Sequence, residues 1–440
     1  MCITANQRKW LFGICLLGFF PGFIHAENNN SAEQEILTRD VLTADQLIIL
    51  VIENNAGISE LVAAQEVAAY QIEPAGSLED PVFSYGFAPR TLRDGERLNQ
   101  KIELSQKIPW PGTLQAREQV AKHKLNAAEK DTDVRRLQLE LLAKFAYAEW
   151  YFVERALEIH RSTQNLLEEL RSVAEARYAA GRALQQDVLQ AEVEQKNLDR
   201  HGLELVRQKK SVQAKINALL NKHPESPVPP ATSFSINKLI PSLDELEKIS
   251  MDNHPELRRL DAHAAANSAQ VILAEKSFYP DFKLFAGYNS LWDAHEKRPI
   301  IGASINIPFD QSRRKAALHS AKASVRQREL QLANRRAELL GELARAHAEV
   351  NESVEAVELY ENSLVPLANE YLSAAIADYQ SGSGSFLSVI AAEQKKLVTD
   401  EGLERNRADY FRRVAELERW TGVRLDQRFI VSQGERYETR

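Results

Sequence analysis

The feature that most constrains this chain is a stretch of 68 residues without glycine or proline, between Gly112 and Gly181. At a rise of ~1.5 Å per residue, a continuous helix of that length is a rod roughly 100 Å long. Its apolar side chains recur in steps of three, four and four residues, with Thr163 as the one polar exception. This 11-residue period is typical of a nearly straight helix, which can pack beside others in the wall of a tube. The period alone leaves a plain coiled-coil rod as an alternative.

The second half of the chain repeats the first. Residues 178–181 read Tyr-Ala-Ala-Gly and residues 379–382 read Tyr-Gln-Ser-Gly, at an offset of 201 positions. A few residues later, 188–192 and 389–393 both end in Ala-Glu at the same offset. The shared order of these patterns indicates an internal duplication of about 200 residues. The second long helix keeps the apolar period, but Pro366 is expected to kink or break it.

The duplication predicts two repeats of one design. Each repeat should contain an opening helix of about 30 residues, two short strands, a very long helix, a glycine turn and a returning helix. A linker with five prolines separates the repeats. The predicted order is repeat 1 over 43–220, with its opening helix at about 43–77, strands at about 80–90 and 98–109 and a turn at Gly181; the linker over 221–242; repeat 2 over 243–421, with its opening helix at about 243–277, strands at about 280–290 and 299–309 and a turn at Gly382; and a C-terminal tail over 422–440.

The N-terminus has the features of a secretory signal peptide. Basic residues precede an apolar run from Trp10 to Phe20, and the small residue Ala26 suits a cleavage site. We therefore expect residues 1–26 to be removed. The apolar run is too short to span ~30 Å of hydrocarbon comfortably, which argues against a membrane anchor. Residues 27–42 are rich in Asn, Glu and Gln and are expected to form a flexible N-terminal segment.

Composition and motifs argue against an enzyme, a metal-binding protein and a nucleic-acid-binding protein. Cys2 and Cys15 lie in the predicted signal peptide and are the only cysteines, so neither thiol chemistry nor disulfides are expected in the mature chain. The net charge of −7 lacks the basic character of a nucleic-acid-binding protein. The histidines show no metal-ligand spacing such as His-Glu-x-x-His, and the sequence contains no phosphate-binding glycine loop or nucleophile motif. We therefore predict no catalytic site, no cofactor and no bound metal.

Four short segments have the alternation of amphipathic strands. Phe83, Tyr85 and Phe87 fall on one side of the first segment, and the second sets Ile102 and Leu104 against charged neighbours. Strands of about ten residues with one apolar face suit a membrane barrel with a wet lumen, although a hairpin packed on the helices fits them equally well. In a membrane, four strands are too few to close a barrel, and lipid does not tolerate an open sheet edge. A membrane location therefore requires oligomerisation, and three chains would supply 12 strands.

In these features the chain resembles the TolC-type outer-membrane efflux channels of Gram-negative bacteria. The resemblance covers nearly all of the mature chain: duplicated halves, two strands and one long helix in each half, and helix hairpins that turn at glycine. It implies a mainly α fold with a small β-barrel part, in a homotrimer with a 12-strand barrel in outer-membrane lipid and a 12-helix tube in the periplasm. It also implies a passive duct that docks on a periplasmic adaptor and an inner-membrane pump of the resistance-nodulation-division type.

One short segment, at the junction between a strand and the long helix, indicates a branch of this family. Residues 104–112 read Leu-Ser-Gln-Lys-Ile-Pro-Trp-Pro-Gly and resemble the junction in channels that serve heavy-metal pumps, for cobalt, zinc, cadmium or copper. The resemblance thus implies export of heavy-metal cations or of drugs. The residues expected to shape the two equivalent junctions are Pro109, Trp110, Pro111, Gly112, Pro308 and Phe309.

The resemblance also implies roles for the two glycine turns, which should lie at the periplasmic tip. The residues expected to contact the adaptor are Gly181, Arg182, Leu184, Gly382, Ser383 and Ser385. A resting duct has to be closed at this tip, because an open one would make the outer membrane leak. The gate candidates are Tyr178, Asp187 and Tyr379, since a tyrosine hydroxyl that donates to a carboxylate makes a charge-assisted hydrogen bond. Some relatives have arginine where this chain has Gly384, so a linkage through that arginine would be missing.

Alternatives of other kinds fit part of the sequence. A type I secretion duct has the same design and differs in its cargo. A periplasmic coiled-coil adaptor or scaffold should have a single helix hairpin between β-rich domains, and a secreted enzyme is opposed by the long rod and the lack of a catalytic motif. At the turns, an ordinary solvated helix end is the alternative to docking and gating.

Overall fold

The computed structural model describes residues 41–88, 99–233, 236, 240–290, 292 and 294–425. The predicted signal peptide, nearly all of the N-terminal segment, the loop after the first strand and the tail beyond Leu425 lie outside these residues. The described chain is mainly helical and contains one small sheet. Helices are numbered α1 to α10 and strands β1 to β4 in chain order.

The first repeat is organised around one continuous rod. This helix, α4, extends over Thr113–Ala179, 67 residues, as the glycine-free stretch predicts. At ~1.5 Å per residue it is roughly 100 Å long. The chain returns as α5, Gln185–Leu219. Three shorter helices precede the rod, namely α1 at Ala44–Asn54, α2 at Ala56–Tyr70 and α3 at Ile72–Gly76.

The opening helix of this repeat is divided, whereas the sequence predicts one continuous helix. The first break is at Asn55, whose side-chain oxygen accepts a hydrogen bond from Gly57 N at 3.1 Å and so caps α2. Asparagine favours such a break because its side chain competes for backbone hydrogen bonds. Among the described residues no single helix is both long and apolar enough to cross a bilayer, and α1 with α2–α3 meets that test only as a pair bent by 48°.

The second repeat has the same order of elements and a similar break in its opening helix. His254 separates α6 from α7, and Pro255 is the first residue of α7. Proline starts a helix well and cannot continue one, which explains the position of the break. The helices of this repeat are α6 at Leu243–Asn253, α7 at Pro255–Lys276, α8 at Gln311–Leu359, α9 at Val365–Ser381 and α10 at Phe386–Thr421.

The rod of the second repeat is interrupted next to Pro366, as the sequence predicts. A five-residue π-helical segment, Tyr360–Leu364, separates α8 from α9, and Pro366 lies in the first turn of α9. Proline lacks an N–H and its ring collides with the carbonyl four residues earlier, so the helix widens just before it. Glu361 in the widened segment pairs with Arg407 of α10 at 2.7 Å. The bend is therefore anchored to the returning helix.

The four strands form one antiparallel sheet in the order β1-β2-β3-β4. The central pair joins the two repeats, with Leu104 of β2 opposite Ala286 of β3. Among the described residues, β1 and β4 each pair along one edge only. Pro308 and Phe309 follow β4 and are not part of it, so that strand is shorter than predicted. The strands are β1 at Val82–Phe87, β2 at Gln100–Ile108, β3 at Asp281–Asn289 and β4 at Pro299–Asn306.

The sheet is amphipathic, as the alternation predicts. On one face Glu103 pairs with Lys101 at 2.8 Å and with Lys283 at 3.2 Å. The other face is mostly apolar in all four strands, with Gln100 and Gln106 of β2 as polar exceptions. Ile301 on this face is 89% exposed in the single chain. The strand register aligns on this apolar face Phe83, Tyr85, Phe87, Ile102, Leu104, Ile108, Phe282, Leu284, Tyr288, Ile301 and Ile305.

Three clusters of buried side chains hold the helices together. One surrounds the middle of α4, where Tyr147 and Trp150 are fully buried. The proline-rich linker fixes both: Trp150 Nε1 donates to Pro229 O at 2.8 Å, and the Tyr147 hydroxyl donates to Thr232 O at 2.9 Å. A second cluster lies next to the two glycine turns, and a third packs α8 against α10. Around the middle of α4, more side chains are buried than the apolar positions of the 11-residue period predict. The reason is that the linker and α1 cover further sides of the rod.

Candidate functional site at the paired helix turns

The first helix hairpin turns at a glycine with a left-handed backbone. Gly181 has φ of 69° and follows the last turn of α4. Arg182 N donates to Arg177 O at 2.8 Å, and Gly181 N donates to Tyr178 O at 2.9 Å. These two bonds form a Schellman motif, which satisfies the last carbonyls of the helix and needs a positive φ at the glycine.

The second hairpin ends in the same motif. Gly382 has φ of 87°. Ser383 N donates to Asp378 O at 3.0 Å, and Gly382 N donates to Tyr379 O at 3.1 Å. The Tyr-x-x-Gly pattern therefore marks the same backbone structure in both repeats.

The residues expected to contact an adaptor are all exposed at these turns. The two turns lie side by side, because the ends of α4, α5, α9 and α10 share one buried cluster. Ser388 N donates to Ser385 Oγ at 3.2 Å, which caps the start of α10. Docking itself stays a prediction for this exposed set, which is Gly181, Arg182, Leu184, Gly382, Ser383 and Ser385.

Two of the three gate candidates are in contact. The Tyr379 hydroxyl donates to Asp187 Oδ2 at 3.3 Å, which joins the end of α9 to the start of α5 within one chain. Burial, and then the Asp187 carboxylate, raise the pKa of Tyr379, so its hydroxyl stays protonated and able to donate. The Tyr379 ring packs on Phe386 with ring centres 5.2 Å apart. Tyr178 is 48% exposed and lies outside this pair.

Arg177 completes the cluster and was missed by the sequence reasoning. Its guanidinium lies 4.7 Å from the centre of the Tyr379 ring, and its Nη1 donates to Gln380 O at 2.8 Å. An arginine of the first hairpin thus holds the last turn of α9 by a cation–π contact and a hydrogen bond. The available signal was its position directly before Tyr178 in the turn pattern. Arg177, Asp187 and Tyr379 are called the turn clasp below.

The backbone around Gly384 leaves no room for a side chain. A Cβ atom on Gly384 would lie 2.8 Å from Asp378 Cβ, closer than such atoms approach. Gly384 N also donates to Asp378 O at 2.9 Å, which holds the loop in this position. In this chain the cation beside Tyr379 comes from α4 instead of from the second turn.

The two strand-to-helix junctions differ although their sequences correspond. Trp110 stacks on Tyr279 at 4.9 Å and on Phe282 at 5.9 Å between ring centres, so it ties β2 to the second repeat. Its counterpart Phe309 is 85% exposed. Gly112 has φ of 82° at the start of α4. Pro109 is buried, Pro308 is half-buried and Pro111 is exposed.

In the part of the chain that the structure describes, no group of three His, Asp or Glu side chains is arranged to hold a metal ion.

Comparisons with known proteins agree with this architecture. Residues 248–423, most of the second repeat, match the protein-family model described as outer membrane efflux protein. No curated protein sequence matches the chain significantly. The resemblance to efflux channels predicted above is confirmed for the fold, and the heavy-metal branch stays a prediction.

Three solved structures illustrate the similarity of fold. The outer-membrane channel OprN superposes with a TM-score of 0.74 at 18% identity, over 86% of this chain and 89% of that chain. VceC, an outer membrane protein of Vibrio cholerae, gives 0.72 at 20% identity, over 87% and 97% of the two chains. The MtrE outer membrane channel of Neisseria gonorrhoeae gives 0.71 at 17% identity, over 87% and 90%.

Proposed function

We propose that this chain is the outer-membrane channel component of a tripartite efflux system in a Gram-negative bacterium. The observation that carries the proposal is a sheet with one exposed apolar face, joined to helical rods of roughly 100 Å. An apolar face of that kind suits lipid, and the rods have the length to extend far into the periplasm. The similar structures OprN and MtrE are outer-membrane channels, which supports the same location.

Two sheet edges that have no partner strand among the described residues support a homotrimer. The backbone groups along the outer edges of β1 and β4 need partners in lipid, where an unpaired N–H or C=O is costly. Three copies joined edge to edge form a closed barrel of 12 strands, and their hairpins form a tube of 12 helices. Such a barrel places the apolar face of each sheet toward lipid and the charged face, with Glu103 and Lys283, toward a water-filled lumen.

The exposed turns are the proposed contact with a periplasmic adaptor, which links the duct to an inner-membrane pump of the resistance-nodulation-division type. The turn clasp is the proposed closing device, because it joins the two hairpins of each protomer next to their turns. A charge-assisted hydrogen bond of this kind contributes about 1–2 kcal/mol, which adaptor binding can overcome. The duct is passive, and the pump supplies the energy.

Heavy-metal cations are the proposed cargo, with drugs as the alternative. This assignment rests on residues 104–112, whose Trp110 forms the observed aromatic stack at the junction. The lumen of such a duct does not discriminate between cargoes, so the pump selects the cargo.

The proposal is tested by fractionating cells and recording current across planar bilayers with the purified full chain. We expect outer-membrane trimers that resist mild heating and conduct ions. Ile301→Lys, on the apolar face, should abolish membrane insertion, whereas Ser84→Lys, on the opposite face beside Glu103, should not. A soluble monomer without conductance, or equal tolerance of both lysines, would overturn the proposal.

A further inference from the structure

Glu393 is a buried carboxyl group that the proposed duct does not use. It lies on α10 and is 2% exposed, and its Oε2 has no hydrogen-bond partner among the residues that the structure describes. Its counterpart in the first repeat, Glu192 on α5, is exposed. The duplicated Ala-Glu pattern thus places one carboxyl in water and the other between helices, where an unpaired charge is strongly disfavoured.

Among the described residues that line the space around Glu393, no cation is free to pair with it. A small pocket of about 80 Å³ lies between α10 and α4 at this level. Lys396 lines the cavity but pairs with Asp400, one turn further along α10, so its charge is already neutralised. The rod contributes only hydroxyl and apolar groups to the cavity, namely Ile159, Ser162, Thr163 and Leu166.

The facing hairpin adds a like charge. Glu194 of α5 accepts a hydrogen bond from Gln394 Nε2 at 2.8 Å, so its carboxylate is held against α10 next to Glu393. Burial, and then the Glu194 carboxylate, raise the pKa of Glu393 to about 7, against a smaller opposing effect of Lys396. Helix α9, which also packs on α10, has two carboxylates, Glu370 and Asp378, and both are exposed.

We propose that Glu393 is a proton-binding switch that loosens the contact between the two hairpins when its carboxyl ionises. The neutral acid fits the cavity between α10 and α4. The carboxylate would be a buried charge beside Glu194 with no cation of its own, so α10 has to move or the side chain has to turn out to water.

The switch lies close enough to the turn clasp to act on it. Glu393 is seven residues along α10 from Phe386, a distance of roughly 10 Å along the helix axis. Phe386 packs on Tyr379, and Tyr379 binds Asp187. Loosening of α10 therefore reaches the clasp through one packed aromatic pair, and the consequence for gating rests on the proposed function.

The experiment follows protonation and helix separation in the purified full chain, from pH 5 to pH 9. Infrared difference spectra detect the protonated carboxyl. Spin labels on Lys196→Cys and Val398→Cys, exposed positions on α5 and α10, report the separation of the hairpins. Both native cysteines lie in the predicted signal peptide, so the mature chain offers no competing thiol. Labelled chain is diluted with unlabelled chain so that only distances within one protomer are measured.

We expect a carboxyl band that titrates near pH 7, with a wider label separation on the alkaline side. Glu393→Gln should remove the band and keep the short separation at every pH, whereas the matched variant Glu192→Gln should change neither. Glu194→Gln should move the midpoint to lower pH, because the like charge is gone.

A midpoint near the ordinary glutamate value, or a label separation that ignores pH, would overturn the switch. Neither readout needs transport. Failure of the proposed function would appear separately, as loss of bilayer conductance in chains whose Glu393 still titrates.

Discussion

The joint between the opening helices and the returning helix is closed by asparagine in the first repeat and by histidine in the second. Asn55 Nδ2 donates to Leu219 O at 3.2 Å, and His254 Nε2 donates to Arg419 O at 3.1 Å. Each residue also caps the next helix, since His254 Nδ1 accepts from Glu256 N at 3.2 Å much as the Asn55 oxygen accepts from Gly57 N. The two repeats share these hydrogen bonds but make them with different side chains. Of Asn55 and His254, only His254 can titrate.

The residues that follow the returning helices differ in a related way. Asn221 after α5 has φ of 56°, and Gly422 after α10 has φ of 75°. Asparagine tolerates this left-handed conformation in the first repeat. In the second, a Cβ on Gly422 would lie 2.9 Å from His254 Cα, so glycine is required by contact as well as by φ. The second joint is therefore the more tightly packed one.

The largest expected effect comes from protonating His254 in the second joint. Burial lowers the pKa of His254 to about 4, below its ordinary value of 6.5, because the folded chain excludes the charged ring. The neutral His254 ring makes its full contribution to the free energy of unfolding above pH 6.5. About 3 kcal/mol of that free energy is lost as the pH falls toward 4. Thermal unfolding followed by circular dichroism should show this loss in the wild type and much less of it in His254→Asn. An identical pH profile in both proteins would contradict the assignment.

A second comparison tests the packing behind the two joints. Gly422→Ala should destabilise the chain by about 2 kcal/mol, through the strained φ and the contact with His254. Asn221→Ala, the matched change in the first repeat, should cost about 1 kcal/mol because only the backbone preference is lost. Denaturant unfolding of the two variants measures the difference. Equal losses would mean that the contact at Gly422 does not matter.

A third comparison concerns the turns, where Arg177 and Asp378 occupy equivalent positions. Arg177 reaches the other hairpin, whereas Asp378 supports its own turn through its backbone carbonyl. Arg177→Gln should weaken the clasp by about 1 kcal/mol and raise resting bilayer conductance. Asp378→Asn is the control and should leave both unchanged. Conductance that rises only with Asp378→Asn would refute the role given to Arg177.

The smallest effect is expected at the bend of the second rod. Pro366→Ala restores an N–H and removes the ring that widens the helix, so the π segment should shorten toward an α-helix. Stability should change by less than about 1 kcal/mol, since Glu361 and Arg407 hold the segment from outside. A crystal structure of the variant would show the change directly. A π segment that persists unchanged would assign the bend to those anchors instead of to proline.

Much of the backbone could be predicted from the sequence because its causes are local. The absence of glycine and proline predicts the continuous α4, and the Tyr-x-x-Gly pattern predicts both turns, since glycine adopts a positive φ without strain. The alternation in Ile102 and Leu104 predicts the apolar face, because side chains on a strand alternate between faces. The division of the opening helices at Asn55 and His254 was missed, since each break is also fixed by a carbonyl at the far end of its repeat.

The site, by contrast, depends on how the rods are rotated and aligned. Asp187 and Tyr379 meet across 192 positions of sequence, and Arg177 reaches Tyr379 from the other hairpin. The repeat of apolar residues along one helix does not specify how that helix is aligned lengthwise with a neighbouring helix. The sequence therefore suggested candidates, and the packing selected among them. The same reason separates Glu192 from Glu393: both follow alanine in corresponding segments, and the cavity beside α4 and the facing Glu194 make one of the two a buried acid. The sequence by itself determined which segments are rods, turns and strands, because backbone conformation follows from neighbouring residues. Only the tertiary structure decided which side chains meet and which carboxyl loses its water, because contact and burial are properties of helices packed together.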